Sequence, residues 1–416
     1  MKLNHKLISQ MRAATRGLMA GGPGKATSVI QDALKILTPH AGATATAAPA
    51  APSGPAMRDI NPPPASARAE APPQPQQPPQ PRQPEQAART PVQEAQDAFQ
   101  NLMPDLLAKL ERGGIKMPSF DLPGGMNMPM GRGGPAQALP GKFIDGSFSN
   151  HAGTRSYKLY VPSTATDAAM PLVVMLHGCT QDPDDFATGT QMNALAEEMQ
   201  CLVVYPAQSM QANSSRCWNW FSAVDQQRGQ GEPSIIAGIT ETIMHNYKVD
   251  PAQVYVAGLS AGGAMATIMG TLYPELYAAV GVHSGLPFAS AHDLPSALAA
   301  MQGNFGKPPA SGRSIPIIVF HGDKDTTVHP VNGDEVMRQG AQGGGRDIVI
   351  EPGRVPDGHA YTRTVHKTAD GTPHAEQWLI HGAGHAWSGG SAHGSYTDGK
   401  GPDASREMMR FFTTKR

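Results

Sequence analysis

The residues VYVAGLSAGGAM are the feature that most constrains the fold of this 416-residue chain. They place Ser260 in a Gly-x-Ser-x-Gly pattern, directly after an apolar run typical of a strand and before a run typical of a helix. A nucleophile elbow needs small residues on both sides of its serine, because the strained turn brings the backbone close to the adjoining strand and helix. The pattern therefore predicts that Ser260 is an exposed nucleophile between a strand and a helix.

The rest of the chain from about residue 141 alternates predicted strands with predicted helices. The runs SYKLYVP, PLVVMLHG, CLVVYP, AAVGVHS and IPIIVFHG are typical of strands, whereas MNALAEEMQ, IIAGITETIMHNY and ASREMMRFF are typical of helices. Nearly continuous apolar strands separated by helices indicate a mostly parallel central sheet with helices on both faces. We therefore expect one α/β catalytic domain over residues 141–416.

Two later loops offer an acid and a histidine in the chain order that such a nucleophile requires. Asp323 and Asp325 follow the apolar run IIVFHG, and we expect Asp325 to be the acid because Asp323 directly follows the turn and is placed to support it. In EQWLIHGAGHAWSGG, glycines flank His385, the expected base, whereas His381 lies on the strand side and is interpreted as structural. Ser260 would then attack a carbonyl carbon while His385 carries the proton and Asp325 holds the imidazole.

An oxyanion hole is expected beside the nucleophile. PLVVMLHGCTQ places Cys179 just after an early strand, where this arrangement contributes one backbone N–H. The residue after the nucleophile, Ala261, would contribute the second N–H. His177 is interpreted as a brace for this loop through hydrogen bonds, with acid or base chemistry as the alternative.

Aromatic residues accompany two of these loops. Trp218, Trp220 and Phe221 lie in RCWNWF, and Trp387 follows the expected base by two residues. We expect them to line an acyl cleft that receives an apolar substrate segment, with ordinary core packing as the alternative.

The motifs LHGCTQ, RCWNWF, GLSAGGAM, HGDKDTTVHP and GAGHAWSGG, in that order, resemble those of short-chain-length polyhydroxyalkanoate (polyhydroxybutyrate) depolymerases of the esterase PHB family. That family is related to feruloyl and acetylxylan esterases. The resemblance covers about residues 141–416. It implies an α/β-hydrolase fold, serine esterase activity, and Ser260, Asp325 and His385 as the catalytic triad.

The resemblance also bears on the three cysteines. Related esterases have a disulfide at positions similar to Cys179 and Cys217, so the resemblance suggests that bridge and leaves Cys201 as a buried thiol. The alternative is three reduced cysteines, which a cytosolic location would favour.

The first third of the chain has a different composition. Of the 39 prolines, 22 lie in residues 1–140, a part whose net charge is +5 against −6 for the remainder. We expect an amphipathic helical segment over 1–40, a disordered Pro/Ala/Gln-rich linker over 41–92, and a short helix with a Met/Pro/Gly-rich linker over 93–140. Self-packing and attachment to a polymer-granule surface are both open for these helices.

Several function classes are not expected. A net charge of −1 gives no basis for nucleic-acid binding, and no apolar stretch predicts a transmembrane segment. The histidines form neither HExxH nor a zinc spacing, and no phosphate-binding GxxxxGK[ST] occurs, so we expect neither a metal nor a cofactor. The N-terminus has no signal-peptide h-region, which favours the cytoplasm, whereas the resemblance implies an extracellular protein.

The combined prediction is a serine esterase acting on poly(3-hydroxybutyrate) or its oligomers through an acyl-enzyme. A feruloyl or acetylxylan esterase, or a hydrolase of another polymer such as poly(aspartic acid), would use the same chemistry with another substrate. A polymer-granule-binding protein, in which residues 1–140 do the main work, is the alternative from another class.

Overall fold

The computed structural model describes residues 139–165, 168–306, 315–341 and 347–414, which form a ten-stranded sheet flanked by helices. The predicted segments 1–40 and 41–92, and all but the last two residues of 93–140, lie outside the described residues. The strands of the sheet are β1 (Lys142–Asn150), β2 (Gly153–Val161), β3 (Met170–Leu176), β4 (Leu202–Pro206), β5 (Val249–Leu259), β6 (Ala279–His283), β7 (Ile317–Gly322), β8 (Asp347–Arg354), β9 (Ala360–Lys367) and β10 (Pro373–His381).

The spatial order of the strands is β1-β2-β4-β3-β5-β6-β7-β10-β9-β8. The six central strands, from β4 to β10 in this order, are parallel to one another. Antiparallel pairs extend the sheet at both ends. The predicted mostly parallel sheet is therefore confirmed for the centre. The carboxyl ends of β3, β5, β6, β7 and β10 lie along one edge, where loops that follow parallel strands can meet.

Helices cover both faces of the sheet, as predicted. Successive residues of β3 enter opposite apolar cores, since Val174 packs in one cluster and Val173 and Met175 in the other. The helices are α1 (Pro183–Thr190), α2 (Met192–Met199), α3 (Gly231–Asn246), α4 (Ala261–Leu272), α5 (Leu294–Met301), α6 (Val331–Gly340) and α7 (Ala404–Thr413). The first cluster includes residues of α3, α4, α5 and α6, and the second includes residues of α1, α2 and α7.

Two smaller features complete the described residues. A 3-10 helix spans Ala223–Gln226, and the two-residue strands β11 (Trp387–Ser388) and β12 (Thr397–Asp398) pair in parallel beyond the main sheet. None of the helices in the described ranges has the length and apolar character needed to cross a membrane.

Candidate active site

Ser260 occupies the sharp turn between β5 and α4. Its backbone has φ 57° and ψ −118°, a conformation that L residues rarely adopt, and its N–H donates to the carbonyl oxygen of His283 at 2.9 Å. The neighbouring glycines allow this turn, because a Cβ at Gly258 would lie 2.4 Å from the backbone of Gly262. A Cβ at Gly262 would in turn lie 2.0 Å from the carbonyl oxygen of Leu176. The elbow is therefore packed backbone against backbone, as its sequence pattern predicts.

Asp325 and His385 form a hydrogen-bonded pair. His385 donates from Nδ1 to Oδ2 of Asp325 at 2.7 Å, and the His385 side chain is 13% exposed while that of Asp325 is buried. The other carboxylate oxygen accepts from the N–H groups of Thr327 and Val328 at 2.9 and 2.8 Å. Burial would raise the pKa of Asp325, but hydrogen bonds from His321 and His385 outweigh it and hold this pKa well below its usual range. Asp325 is thus an ionised acceptor that fixes the imidazole.

The loop that carries His385 runs across the carboxyl edge of the sheet. It leaves β10, and the carbonyl oxygen of Ala383 accepts from the N–H of Lys324, just beyond β7. Farther along, the N–H of Ser388 donates to Nε2 of His283 at the end of β6, at 3.0 Å. Since β6 is the neighbour of β5, this path carries His385 from β10 toward the nucleophile.

Asp323 and His381 form a separate pair at the base of the same loops. Asp323 accepts from the N–H of Gly382 at 2.7 Å, and its other oxygen lies 3.1 Å from Nδ1 of His381. The remaining ring nitrogen of His381 bonds with the hydroxyl of Thr362 at 2.9 Å. These contacts fit the structural role expected for both residues.

The two backbone groups expected to form an oxyanion hole lie beside Ser260. Cys179 and Ala261 line one cavity with the serine. In the described part of the chain, neither of their N–H groups donates to a protein acceptor. The amide of Ala261 is free because the first turn of a helix leaves its N–H groups without intrahelical partners. Both donors are therefore available to an oxygen bound next to the nucleophile.

His177 braces the loop that carries Cys179. Its Nε2 accepts from the N–H of Gln208 at 3.1 Å, and its Nδ1 lies 2.8 Å from the carbonyl oxygen of Gly178, to which it donates. Burial lowers the pKa of His177 to about 4, so the ring is neutral near pH 7 and the two bonds assign its tautomer.

The cavity next to Ser260 is apolar and holds about 440 Å³, including space open to solvent. Its wall is made by the loop after β3, the RCWNWF loop, and one side of α5. The residues that line it are Cys179, Cys217, Trp220, Phe221, Ser260, Ala261, Leu286, Leu294, Ala297, Leu298, Met301 and Val328. Besides the serine, every lining side chain is apolar or part of a disulfide.

The predicted tryptophan-lined cleft needs correction at two positions. Trp220 lines the cavity, but Trp218 is 0% exposed and packs in the core, with its ring centroid 5.6 Å from that of His177. Trp387 is 1% exposed, stacks on His283, and donates from Nε1 to the hydroxyl of Ser405 at 3.1 Å. Trp218 and Trp387 therefore pack beneath the loops, in the apolar clusters on the two faces of the sheet, and do not line the cavity.

The cysteines adopt the arrangement that the family resemblance suggests. Cys179 and Cys217 form a disulfide, which ties the loop after β3 to the RCWNWF loop, and both residues line the cavity. Cys201 is free and buried at the start of β4, and burial raises the pKa of its thiol to about 12.

Two buried histidines that the sequence analysis did not select also support the site. His321, in β7, donates from Nε2 to the carbonyl oxygen of Val328 at 2.8 Å and lies 3.4 Å from Asp325. Burial lowers the pKa of His283 to about 3, so this ring stays neutral and accepts from Ser388. A histidine near the carboxyl end of an otherwise apolar strand run, in VGVHS and IIVFHG, was the available signal. Within the described residues, no group of three or more side chains is arranged to hold a metal ion.

Comparison with known proteins finds similarity to esterases. The family model described as Esterase PHB depolymerase matches residues 155–345. Poly(3-hydroxyalkanoate) depolymerase C of Paucimonas lemoignei is 36% identical over 253 residues, which are 58% of this chain and 60% of that protein. Acetylxylan esterase A of Talaromyces purpureogenus is 32% identical over 218 residues, 48% of this chain and 56% of its own length. The chain thus spans somewhat more than half the length of these two curated relatives.

A solved structure shares the fold. The acetyl xylan esterase from Aspergillus awamori superimposes with a TM-score of 0.50 at 22% identity, covering 63% of this chain and 94% of that one. With the parallel sheet, the elbow and the family match, this likeness confirms the α/β-hydrolase fold.

Proposed function

We propose that this chain, whose residues 155–345 match the family model described as Esterase PHB depolymerase, is a serine esterase that cleaves carboxylic esters through an acyl-enzyme. One observation supports this most strongly. Ser260 lies on a strained elbow at the same sheet edge as His385, whose imidazole is held by the buried Asp325 at 2.7 Å. A serine, an imidazole that can take its proton and a carboxylate that orients the imidazole are the parts that acyl transfer requires.

In the proposed mechanism, Oγ of Ser260 attacks the ester carbonyl carbon while Nε2 of His385 accepts the hydroxyl proton. The carbonyl oxygen becomes an oxyanion, which the N–H groups of Cys179 and Ala261 stabilise. The tetrahedral intermediate then collapses, the C–O bond to the alcohol breaks, and His385 returns the proton to the leaving oxygen. A water activated by the same imidazole hydrolyses the acyl-enzyme and restores the serine.

The apolar cavity supports a short aliphatic acyl group as the substrate part next to the serine. Apart from Ser260 it offers no side-chain hydroxyl, amide or charge to an acyl group, so a polar acyl chain would lose its hydrogen bonds to water there. Poly(3-hydroxybutyrate) and its oligomers are the proposed substrates, in keeping with the name of the Paucimonas lemoignei relative.

A carbohydrate esterase is the second candidate, because the acetylxylan esterase relatives would also present a small acyl group to this cavity. The two candidates share the triad and differ in the alcohol that leaves. Attachment of residues 1–140 to a polymer granule stays a prediction.

The test compares wild-type protein with Ser260→Ala on p-nitrophenyl butyrate, on poly(3-hydroxybutyrate) film and on acetylated xylan. We expect the wild type to release soluble 3-hydroxybutyrate esters from the film and Ser260→Ala to release none. Retained p-nitrophenyl butyrate turnover in Ser260→Ala would contradict the serine mechanism. Release of acetate from xylan without release from the film would replace the polyester with the carbohydrate ester.

A further inference from the structure

Gln208, two residues after β4, lies at the centre of a buried polar network next to the oxyanion loop. Gln208 is 4% exposed, and its backbone N–H donates to Nε2 of His177 at 3.1 Å. Its side-chain oxygen accepts from Nε of Arg155 at 2.8 Å. Its side-chain nitrogen donates to the carbonyl oxygen of Cys217 at 2.9 Å and to the carboxylate of Glu232. One residue therefore connects the loop after β3 with the loop of the disulfide partner.

The contact with His177 acts on the peptide that contains one oxyanion donor. Because Nε2 of His177 accepts a hydrogen bond from the backbone N–H of Gln208, the ring carries its proton on Nδ1, and this N–H donates a hydrogen bond to the carbonyl oxygen of Gly178. That carbonyl belongs to the same peptide unit as the N–H of Cys179. In a planar trans peptide the two groups point in opposite directions, so a fixed carbonyl oxygen also fixes the direction of the N–H.

We propose that Gln208 is a positioning residue for the oxyanion hole. Its side-chain hydrogen bonds anchor the backbone N–H that holds His177, which in turn aims the N–H of Cys179, and the same side chain holds the Cys217 loop in place. The inference rests on the proposed esterase chemistry and extends it to a residue that does not line the cavity. Gln208 touches neither the nucleophile nor the bound ester; it acts only through the two loops.

The network explains why an amide is needed at this position. The side chain must accept from Arg155 and at the same time donate to Cys217 and Glu232. Glutamate has the same shape but cannot donate, and it would place a second carboxylate against Glu232, whose charge is already paired with Arg155 at 3.1 Å. Methionine has a similar length and makes none of these bonds.

Charge state supports the same geometry. The low pKa of His177, which burial holds at about 4, keeps Nε2 free to accept from Gln208 over the pH range of ester hydrolysis assays. The groups that face this histidine include Asp182 and Asp185, which favour its charged form, and Arg216, which opposes it. Burial outweighs them all.

The experiment compares Gln208→Met and Gln208→Glu with the wild type on p-nitrophenyl butyrate. Removing a single oxyanion donor costs about 10² to 10³ in kcat, and a misaimed donor should cost part of that, about 10- to 100-fold. We expect this loss in kcat with KM changed less than about twofold. Binding of a trifluoromethyl ketone, whose hemiketal adduct with Oγ of Ser260 places an oxyanion in the hole, should weaken by the same factor as kcat.

Tyr277→Phe is the matched control for a loss of stability alone. It removes a buried hydrogen bond of 2.9 Å to Thr240, on the same helix α3 that carries Glu232, and should lower Tm while leaving kcat unchanged. The double variant Gln208→Glu/Glu232→Gln restores one amide and one carboxylate to the pair and should recover part of the lost kcat.

Wild-type kcat in either Gln208 variant, with Tm lowered as in Tyr277→Phe, would overturn the inference. So would a loss of kcat without weaker ketone binding. Activity in Ser260→Ala would instead overturn the proposed function, so the two failures are distinguishable.

Discussion

Gly262→Ala is the substitution from which we expect the most informative loss of activity. An added Cβ would lie 2.0 Å from the carbonyl oxygen of Leu176 and 2.6 Å from that of His177, whereas ordinary contacts begin near 3.4 Å. The shortest contact must therefore lengthen by about 1.4 Å, and both partners are backbone atoms of the segment that leads to the oxyanion loop. A rotamer change cannot relieve this contact, so the elbow and the loop must move apart.

The magnitude follows from that displacement. A misplacement of about 1 Å between reacting groups can cost about 100-fold in rate. We therefore expect kcat for p-nitrophenyl butyrate to fall about 100-fold in Gly262→Ala, with a smaller change in KM because the apolar cavity wall is not altered directly. Initial rates measured over a range of substrate concentrations separate kcat from KM.

Gly263→Ala provides the matched control on the next residue of the same helix. Its Cβ would meet the nearest backbone atoms at 3.1 Å, which requires a shift of only a few tenths of an ångström. This variant should keep kcat within a few-fold of wild type. If Gly262→Ala folds, by circular dichroism and Tm, and still turns over at the wild-type rate, then the close packing of the elbow against the oxyanion loop does not set the catalytic geometry.

Three further predictions concern the acid, a buried carboxyl pair and the disulfide. Asp325→Asn should lower kcat by about 10⁴-fold at pH 7 without loss of folding, because an amide favours the wrong imidazole tautomer; a loss below tenfold would argue against its role. Burial, with help from the Glu232 charge, raises the pKa of Asp225 to about 7, so the folded state binds more protons than the unfolded state between about pH 4 and 7. Stability attributable to Asp225 is thus lost as pH rises through that window, and Asp225→Asn should raise the urea midpoint more at pH 8 than at pH 5; equal gains would contradict this. Replacing both Cys179 and Cys217 by Ala should lower the free energy of unfolding by up to about 4 kcal/mol, the loop-closure value for a separation of 38 residues, and an unchanged urea midpoint would refute it.

The centre of the fold was predictable because its strands are buried on both faces. Runs such as LVVML and LVVYP are apolar at every position, which is typical of strands that are buried on both faces of a sheet. β3 and β4 lie where those runs predict them. Of the antiparallel extensions, β2 was predicted from the run SYKLYVP, whereas β1, β8 and β9 were not. In β8, for example, the apolar run is only three residues long, most of the strand is exposed, and no clear alternation of apolar and polar residues marks it.

The same distinction applies to the residues of the site: local sequence patterns identify some of them, and tertiary packing decides the roles of the others. Residues carried by strong local patterns, such as Ser260 in its elbow and His385 between glycines, could be selected from the sequence. The roles of Trp218 and Trp387 could not, because the side of a loop to which an indole points depends on tertiary packing against distant residues such as Ser405. Gln208 shows the same limit, since its contacts join segments up to 53 residues apart in the chain.

Covalent labelling shows directly whether Ser260 is the catalytic nucleophile. The protein would be treated with an aryl phosphonate ester and analysed by peptide mass spectrometry, with hydrolysis of p-nitrophenyl butyrate followed in parallel. We expect one phosphonyl group per chain, on Ser260, with activity lost in proportion to labelling. A label on another residue, or full activity in a chain labelled at Ser260, would contradict it.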